Sequence, residues 1–405
     1  MGPPLPAAFR RLWASDALSS AGDGLTLVAA PLLMTTLTSN PILIAGAAAA
    51  QQLPWLLFGL LSGAIVDRTD QRRLIIAVDA VRAALMAVLA VAIATGSATV
   101  ALVYALLFAS GSGDTLVVTA ATTLTPRLVE RGQLTRANAR LLATRLVGGT
   151  LLARPIGAWL FTQSHSTPFA VDAVSFAAGI ALLIGLRPAP RVAPAAPRHR
   201  IGMADVRDGI AYLWHDQVLR TLALCICVMN ITYAGTMAVL ILYARGRLGL
   251  SDTGFGLLLA TLALGGLVGT VVVNPAQRRF GVSALLKVGL VIEASTQLTL
   301  AITASPWVAG TALAVFGVHA SVWTVLTVSL RQHRVPEQLQ GRVSSAYVVL
   351  SIGGAAAGSL LGGVLVEVAG LTAPMWVGAA VVGVVFLASW PTFRASAIEL
   401  GAGRD

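Results

Sequence analysis

The segment Phe58–Leu74, FGLLSGAIVDRTDQRRL, recurs in blurred form 206 positions later as Leu264–Phe280, LGGLVGTVVVNPAQRRF. Seven of the seventeen aligned positions are identical, among them Gly59/Gly265, Gly63/Gly269 and the arginine pairs Arg72–Arg73/Arg278–Arg279. Both copies stand where a long apolar run breaks into an arginine-rich turn. An offset of half the chain points to two related halves, each carrying the same turn. Only the first copy has an acid, Asp67; Val273 aligns with it in the second.

The surroundings of both copies are strongly apolar. Of 405 residues, 56% are hydrophobic and 11% charged, against about a quarter charged in soluble domains, and the mean hydropathy is +0.81. A water-soluble fold of this length could not hide that much apolar surface, so lipid is expected to be its solvent. The net charge of +11 raises a nucleic-acid reading. The arginines instead fall into short clusters between apolar segments, with no basic stripe interleaved with aromatics, so no nucleic-acid partner is expected. Cys225 and Cys227 share one apolar run without further cysteines, so they read as small buried hydrophobes rather than a disulfide or a metal site. Residues 1–14 have no apolar leader of their own, which makes the first apolar run a retained span.

Runs of about 20 apolar residues each mark a span. They lie near 15–37, 42–66, 74–95, 98–124, 141–163, 168–187, 218–244, 252–273, 284–304, 307–330, 343–368 and 373–393, twelve in all. The connections at 38–41, 96–97, 164–167 and 305–306 are short and lack Lys and Arg, whereas those at 67–73, 125–140, 188–217, 274–283 and 331–342 hold most of the arginines. Of 28 Lys and Arg, 23 fall on the second side, two (Arg245, Arg247) on the first and three (Arg82, Arg145, Arg154) within spans. The excess of positive charge predicts both termini in the cytoplasm. The long connection divides the chain into a six-span bundle at 1–187, a cytoplasmic linker at 188–217 and a second bundle at 218–405. The linker opens with Pro188, Pro190, Pro194 and Pro197, then presents Met203, Val206, Ile210 and Leu213–Trp214 at helical spacing, as an interfacial amphipathic helix would.

Six plus six spans with Gly63, Asp67, Arg68, Arg72 and Arg73 in a Gly-x-x-x-Asp-Arg turn resemble the major facilitator superfamily over the whole chain. Within it the chain is most similar to the enterobactin-exporter and macrolide-efflux group. The resembling stretches are FRRLWASDALSSAGDGLTLVAAPLL at 9–33, LTRANARL at 134–141, VDAVSF at 171–176 and VPEQLQGRVSSAY at 335–347. Two departures stand out. Asp70 and Gln71 replace a glycine and a base in the turn, and Arg154-Pro155-Ile156-Gly157-Ala158 stands where the antiporter motif of the fifth span has Gly-Pro-x-x-Gly-Gly.

The resemblance implies an all-α membrane protein of two pseudo-symmetric six-helix bundles, with the turn acting as a gate. Gly63 is expected to admit a neighbouring helix closely. Asp67 is expected to meet Arg68, Arg72 or the positive N-terminus of the eleventh span near Gly341–Ser344, with Arg73, Asp79 and Arg82 in support. Ionisable groups at mid-membrane cost about 2.5–3.5 kcal/mol each, so Asp23, Asp114 and Arg154 are candidates for a central charge network in which Arg154 pairs with an acid that carries a proton or meets substrate. Asp16, Ser19, Ser20, Asp23 and Thr26 form a polar stripe on the first span and place Asp16 and Thr26 in the cavity. Asn230, Tyr233 and Met237 share a face of the seventh span, and His319, Trp323 and Thr327 one of the tenth; in this fold both line the cavity. Asp172 reads as structural, and Glu293 lies on a peripheral span.

These features describe a secondary active transporter that works by alternating access, expected to export drugs, antibiotics or siderophore-like natural products against protons. The expected driving force is the proton gradient, with no cofactor and no metal. The expected setting is the bacterial inner membrane, multi-pass and monomeric, with protons, small molecules and membrane lipid as partners. No Gly-x-x-x-x-Gly-Lys-Ser/Thr loop occurs, which excludes an ATP-driven pump in one chain. An importer or uniporter without proton antiport stays open. An enzyme is not expected, since neither His-Glu-x-x-His nor Gly-x-Ser-x-Gly is present; a sensor would be expected to carry an appended soluble domain.

Overall fold

The computed structural model describes residues 4–185, 203–336 and 339–393, and among them there is no strand. Fourteen α-helices follow in order: α1 Ala7–Leu37, α2 Pro41–Arg68, α3 Gln71–Ala94, α4 Val100–Leu128, α5 Leu134–Thr144, α6 Ala153–Gln163, α7 Thr167–Ile184, α8 Met203–His215, α9 Gln217–Ala238, α10 Leu240–Gly246, α11 Asp252–Ile302, α12 Pro306–Arg334, α13 Gln340–Ala369 and α14 Ala373–Ser389. Among the described residues nine helices are long and apolar enough to cross a membrane, and α14 is a shorter apolar helix.

The expected twelve spans follow once three joints are recognised. α11 runs 51 residues because two helices abut at Gly281, whose φ of +75° no helical residue adopts; glycine alone enters that region without a Cβ clash. α5 and α6 continue through a π-helical segment, Arg145–Leu152, into one span. α9 and α10 are one span with a break at Val239 (φ −109°, ψ 5°). Helices are obligatory here because lipid offers no partner for a free N–H or C=O.

Contacts divide the chain into two units, residues 1–39, 50–200 and 251–260, and residues 40–49, 201–250 and 261–405. Each has its own apolar interior. Phe9, Leu12, Val66, Ile75, Leu124 and Leu183 pack together in the first; Leu222, Leu286, Trp323, Leu326, Val382 and Phe393 do so in the second. Large apolar residues such as Val81, Val174, Val271 and Val384 are more than half exposed. In a membrane protein such faces meet lipid tails.

The amphipathic stretch of the linker is the helix α8. Its Leu213 is buried with Leu219, Val343 and Tyr347, and Gly209 lies against the backbone of Arg342, while Ile210 and Trp214 are exposed. The four prolines expected to keep the linker extended lie outside the described residues, as do the side chains of Met203 and Val206.

Candidate functional site

Charge concentrates in the first unit around one guanidinium. Arg82, on α3, has its side chain 3% exposed and places Nη2 2.5 Å from Asp23 Oδ1 of α1 and 3.8 Å from Asp114 Oδ1 of α4. Its Nη1 lies 3.7 Å from Asp79, one turn back on its own helix. Nε donates to Ser110 Oγ at 3.4 Å, and the guanidinium sits 4.4 Å above the Phe176 ring of α7. Beside Phe176, Asp172 is 1% exposed and accepts hydrogen bonds from Thr26 (2.5 Å) and Ser175 (3.4 Å). Four carboxylates thus surround one cation.

Two glycines seat this cluster. A Cβ on Gly113 would come 2.9 Å from Arg82 Cδ, and one on Gly22 would come 2.2 Å from Asp172 Oδ1. Arg82 and Asp79 are closed in, but the side chains of Asp23 and Asp114 keep 36% and 29% exposure. The cation is therefore fixed, and the two acids that face it remain reachable.

The expected partner of these acids was Arg154; the structure puts Arg82 there instead, and Arg154 is half-buried on α6. Helix rotation decides this, since Arg82 shares a face with Asp79 at i, i+3 and points inward with it, whereas it was expected near the membrane surface beside the turn. Asp16, expected to face a cavity, forms a two-pronged ion pair with Arg145 of the π-helical segment, with Nε 3.1 Å from both carboxylate oxygens. Thr26 is likewise buried against Asp172.

The turn between α2 and α3 is built differently from expectation. Among the described residues nothing lies within 4 Å of a Cβ placed on Gly59 or Gly63, whereas Gly265 and Gly269 press on the α12 backbone, with built Cβ atoms 1.9 Å from Ala314 O and 2.6 Å from Val318 O. Among the described residues, close packing thus belongs to the second copy alone. Asp67, Arg68 and Arg73 are exposed, and Asp67 makes no ion pair among the described residues of its own unit. Arg72 donates to Leu183 O (2.8 Å) and Ile184 O (2.7 Å), tying down the C-terminus of α7. Its charge suits that negative helix end. The departure within the turn also has work: Asp70 caps α3 by accepting from Arg73 N at 2.9 Å. Gln71 donates to Val66 O (3.0 Å) and accepts from Arg127 (3.1 Å).

In the second unit His319 and Trp323 do not line open space. Both are buried, and they stack edge-on at 5.8 Å. His319 Nε2 lies 3.4 Å from Glu293 Oε2, and Gly289, one turn before Glu293, leaves the space the imidazole fills. The sequence offered no partner for His319 because Glu293 is 26 residues away on another helix. On α9, Asn230 bonds to Ser351 Oγ at 3.2 Å, and Tyr233 stacks on Phe316 at 5.0 Å. Asn230, Tyr233 and Met237 are half-buried. Among the described residues no three His, Cys, Asp or Glu form a group that could hold a metal.

Known proteins bear on this arrangement in three ways. Residues 2–398 match the MFS family described as transmembrane secretion effector. An uncharacterized MFS-type transporter of Mycobacterium tuberculosis is 33% identical over 190 residues, 45% of this chain and 43% of the relative; the match thus spans less than half of that protein. The multidrug efflux pump Tap of Mycolicibacterium fortuitum is 26% identical over 92% of this chain and 91% of Tap. Macrolide efflux protein A of Streptococcus pyogenes is 29% identical over 32% of each chain. Among solved structures, the nucleoside transporter NupG superposes with a TM-score of 0.78 at 12% identity, covering 96% of this chain and 99% of NupG. A bacterial ferroportin homologue in the inward-facing state gives 0.73 at 16%, covering 95% and 98%. Identities this low carry the fold alone. The charge cluster, the turn and the twelve spans thus stand in a chain that belongs to the transmembrane secretion effector family of MFS transporters.

Proposed function

We propose that the protein is a proton-coupled exporter of amphipathic small molecules in a bacterial cytoplasmic membrane, working by alternating access. The observation that carries this reading is the Arg82 cluster. A fixed, buried cation faces two acids that keep about a third of their surface exposed. A proton on Asp23 or Asp114 weakens its bond to Arg82; loss of the proton restores it. Such an element has two arrangements whose balance a proton gradient biases, as alternating access requires. Two relatives named as efflux proteins, Tap and macrolide efflux protein A, favour the outward direction and a drug-like cargo. On this reading Tyr233 and Met237 offer an aromatic and a soft apolar surface suited to varied ligands. Asp67 acts as the gating acid of the turn, exposed and available to a partner.

The test is pH-gradient-driven efflux from everted vesicles, using a panel of fluorescent amphipathic drugs. Asp23→Asn and Asp114→Asn are expected to lower the gradient-driven rate by about tenfold or more, while leaving substrate-dependent counterflow measurable. Full gradient-driven efflux in both variants would sink the coupling role. Uptake rather than extrusion of the panel would redirect the proposal to an importer.

A further inference from the structure

Inside the second unit one ionisable pair is shut away from solvent. Glu293, on the second half of α11, and His319, on α12, are 1% and 4% exposed, and Glu293 Oε2 lies 3.4 Å from His319 Nε2. The imidazole fills the notch at Gly289, where a Cβ would come 2.6 Å from Nδ1. Phe316 and Trp323 stand edge-on to it at 5.9 and 5.8 Å. Packing therefore fixes both groups. Asp23 and Asp114 in the first unit keep about a third of their side chains exposed; this pair keeps almost nothing.

The surroundings bring no further charge to the pair. Glu293 Oε1 has no hydrogen-bond partner, and Glu293 makes no second ion pair among the described residues. From α9 the Cys225 thiol faces the carboxyl group, and from α14 the Ser389 hydroxyl meets that thiol. Thr236, also on α9, is occupied with Gln297 at 2.9 Å. The cations of this region lie on aromatic rings instead: Lys287 of α11 over Trp390 at 4.4 Å, and Arg331 of α12 over Tyr347 of α13 at 3.8 Å.

The number of protons on the pair decides its charge. With none, a carboxylate is buried against a neutral imidazole. With two, an imidazolium is buried against a neutral acid. Either state leaves one uncompensated charge in the interior, the costly condition for a buried pair. With one proton the net charge is zero, whichever atom carries it.

We propose that Glu293 and His319 form a second proton site, which holds one proton between them and encloses it as the second unit folds. This proton is structural, apart from those that exchange at Asp23 and Asp114, and it makes assembly of the second unit depend on pH. The separated side chains hold one proton only between about pH 4.3 and 6.5. Above that window the unfolded chain holds none and the folded pair one, so stability falls as the pH rises. Below it the unfolded chain holds two, so stability falls as the pH drops.

The experiment measures the unfolding equilibrium of the full chain in mixed micelles of dodecylmaltoside and dodecyl sulfate at pH 7 and pH 8. Wild type is compared with Glu293→Gln, whose amide and imidazole are neutral without a shared proton. Taken relative to the variant, the wild-type unfolding constant is expected to rise about tenfold over that pH unit, the signature of one proton taken up on folding. Should Glu293→Gln fail to fold, Glu293→Gln combined with His319→Gln keeps a hydrogen-bonding pair without either titrating group and serves as the same reference. A rise of about tenfold supports the proposal. A relative change of twofold or less shows that the folded pair holds no proton, and one of about a hundredfold shows that it holds two; either overturns it. Neither result bears on the Arg82 cluster, whose acids are unchanged in these variants.

Discussion

A Cβ on Gly22 would fall 2.1 Å from Ser175 Oγ and 2.2 Å from Asp172 Oδ1, so at this position a single methyl group competes with a buried carboxylate. Overpacking of a filled interior costs about 1–3 kcal/mol. Gly22→Ala is therefore expected to lower the melting temperature clearly, whereas Gly63→Ala, with nothing within 4 Å, leaves it unchanged. A thermal-shift series in detergent measures both, and equal melting of the two would refute the seating role. Arg82 gives a second prediction at this scale. Removing one partner of a buried ion pair costs about 3–5 kcal/mol because the other charge stays behind. Arg82→Gln should thus destabilise strongly, and Arg82→Gln combined with Asp79→Asn should recover part of the loss. A double variant no more stable than the single one would show that Asp79 and Arg82 do not interact energetically.

Among the elements, α3 is the one whose ends and middle serve different purposes. Asp70 caps its start, Arg72 anchors the end of α7, and Arg82 faces the acids from its centre. Asp70→Ala removes an N-cap worth about 1 kcal/mol, so it is expected to lower stability modestly without touching the proton dependence of transport. The buried His319–Glu293 pair joins α12 to the second half of α11. Glu293→Gln keeps an acceptor for His319 and removes only the charge. It is expected to leave gradient-driven efflux intact, in contrast to Asp23→Asn. Loss of gradient dependence in Glu293→Gln would bring the second unit into proton coupling. The unlike treatment of the two repeated segments also belongs here: Gly265 and Gly269 pack tightly, while Gly59 and Gly63 do not. Among the described residues, the identical glycines are therefore used for packing in one unit only.

For the whole molecule, the distribution of 27 arginines and one lysine makes a topological prediction. A green fluorescent protein fused after the last residue should fluoresce, and alkaline phosphatase inserted at His165 should be active, as both termini inside require. An inactive phosphatase at His165 would reverse the orientation. The span count was legible because each span is a contiguous apolar run of fixed length, a property of local sequence. Even the 51-residue α11 betrays its break through the glycine at 281. The charge network was legible only as a set of candidates. Asp23 and Asp114 were visible as acids in apolar runs, but their partner could have been any of three in-span arginines.

The sequence by itself determined the class, the spans, the repeat and the sign of the charge on each connection. Those follow from hydropathy and local composition, which lipid reads directly. Tertiary structure decided which arginine meets which acid, because that depends on helix rotation and on where glycines let side chains pass. It put Arg82 rather than Arg154 against Asp23, gave Arg145 to Asp16, and found Glu293 for His319. It also separated the repeated turn into two uses. Glycines that look alike in a string of letters differ according to whether a neighbouring helix comes near, and nothing in the seventeen aligned positions encodes that distance.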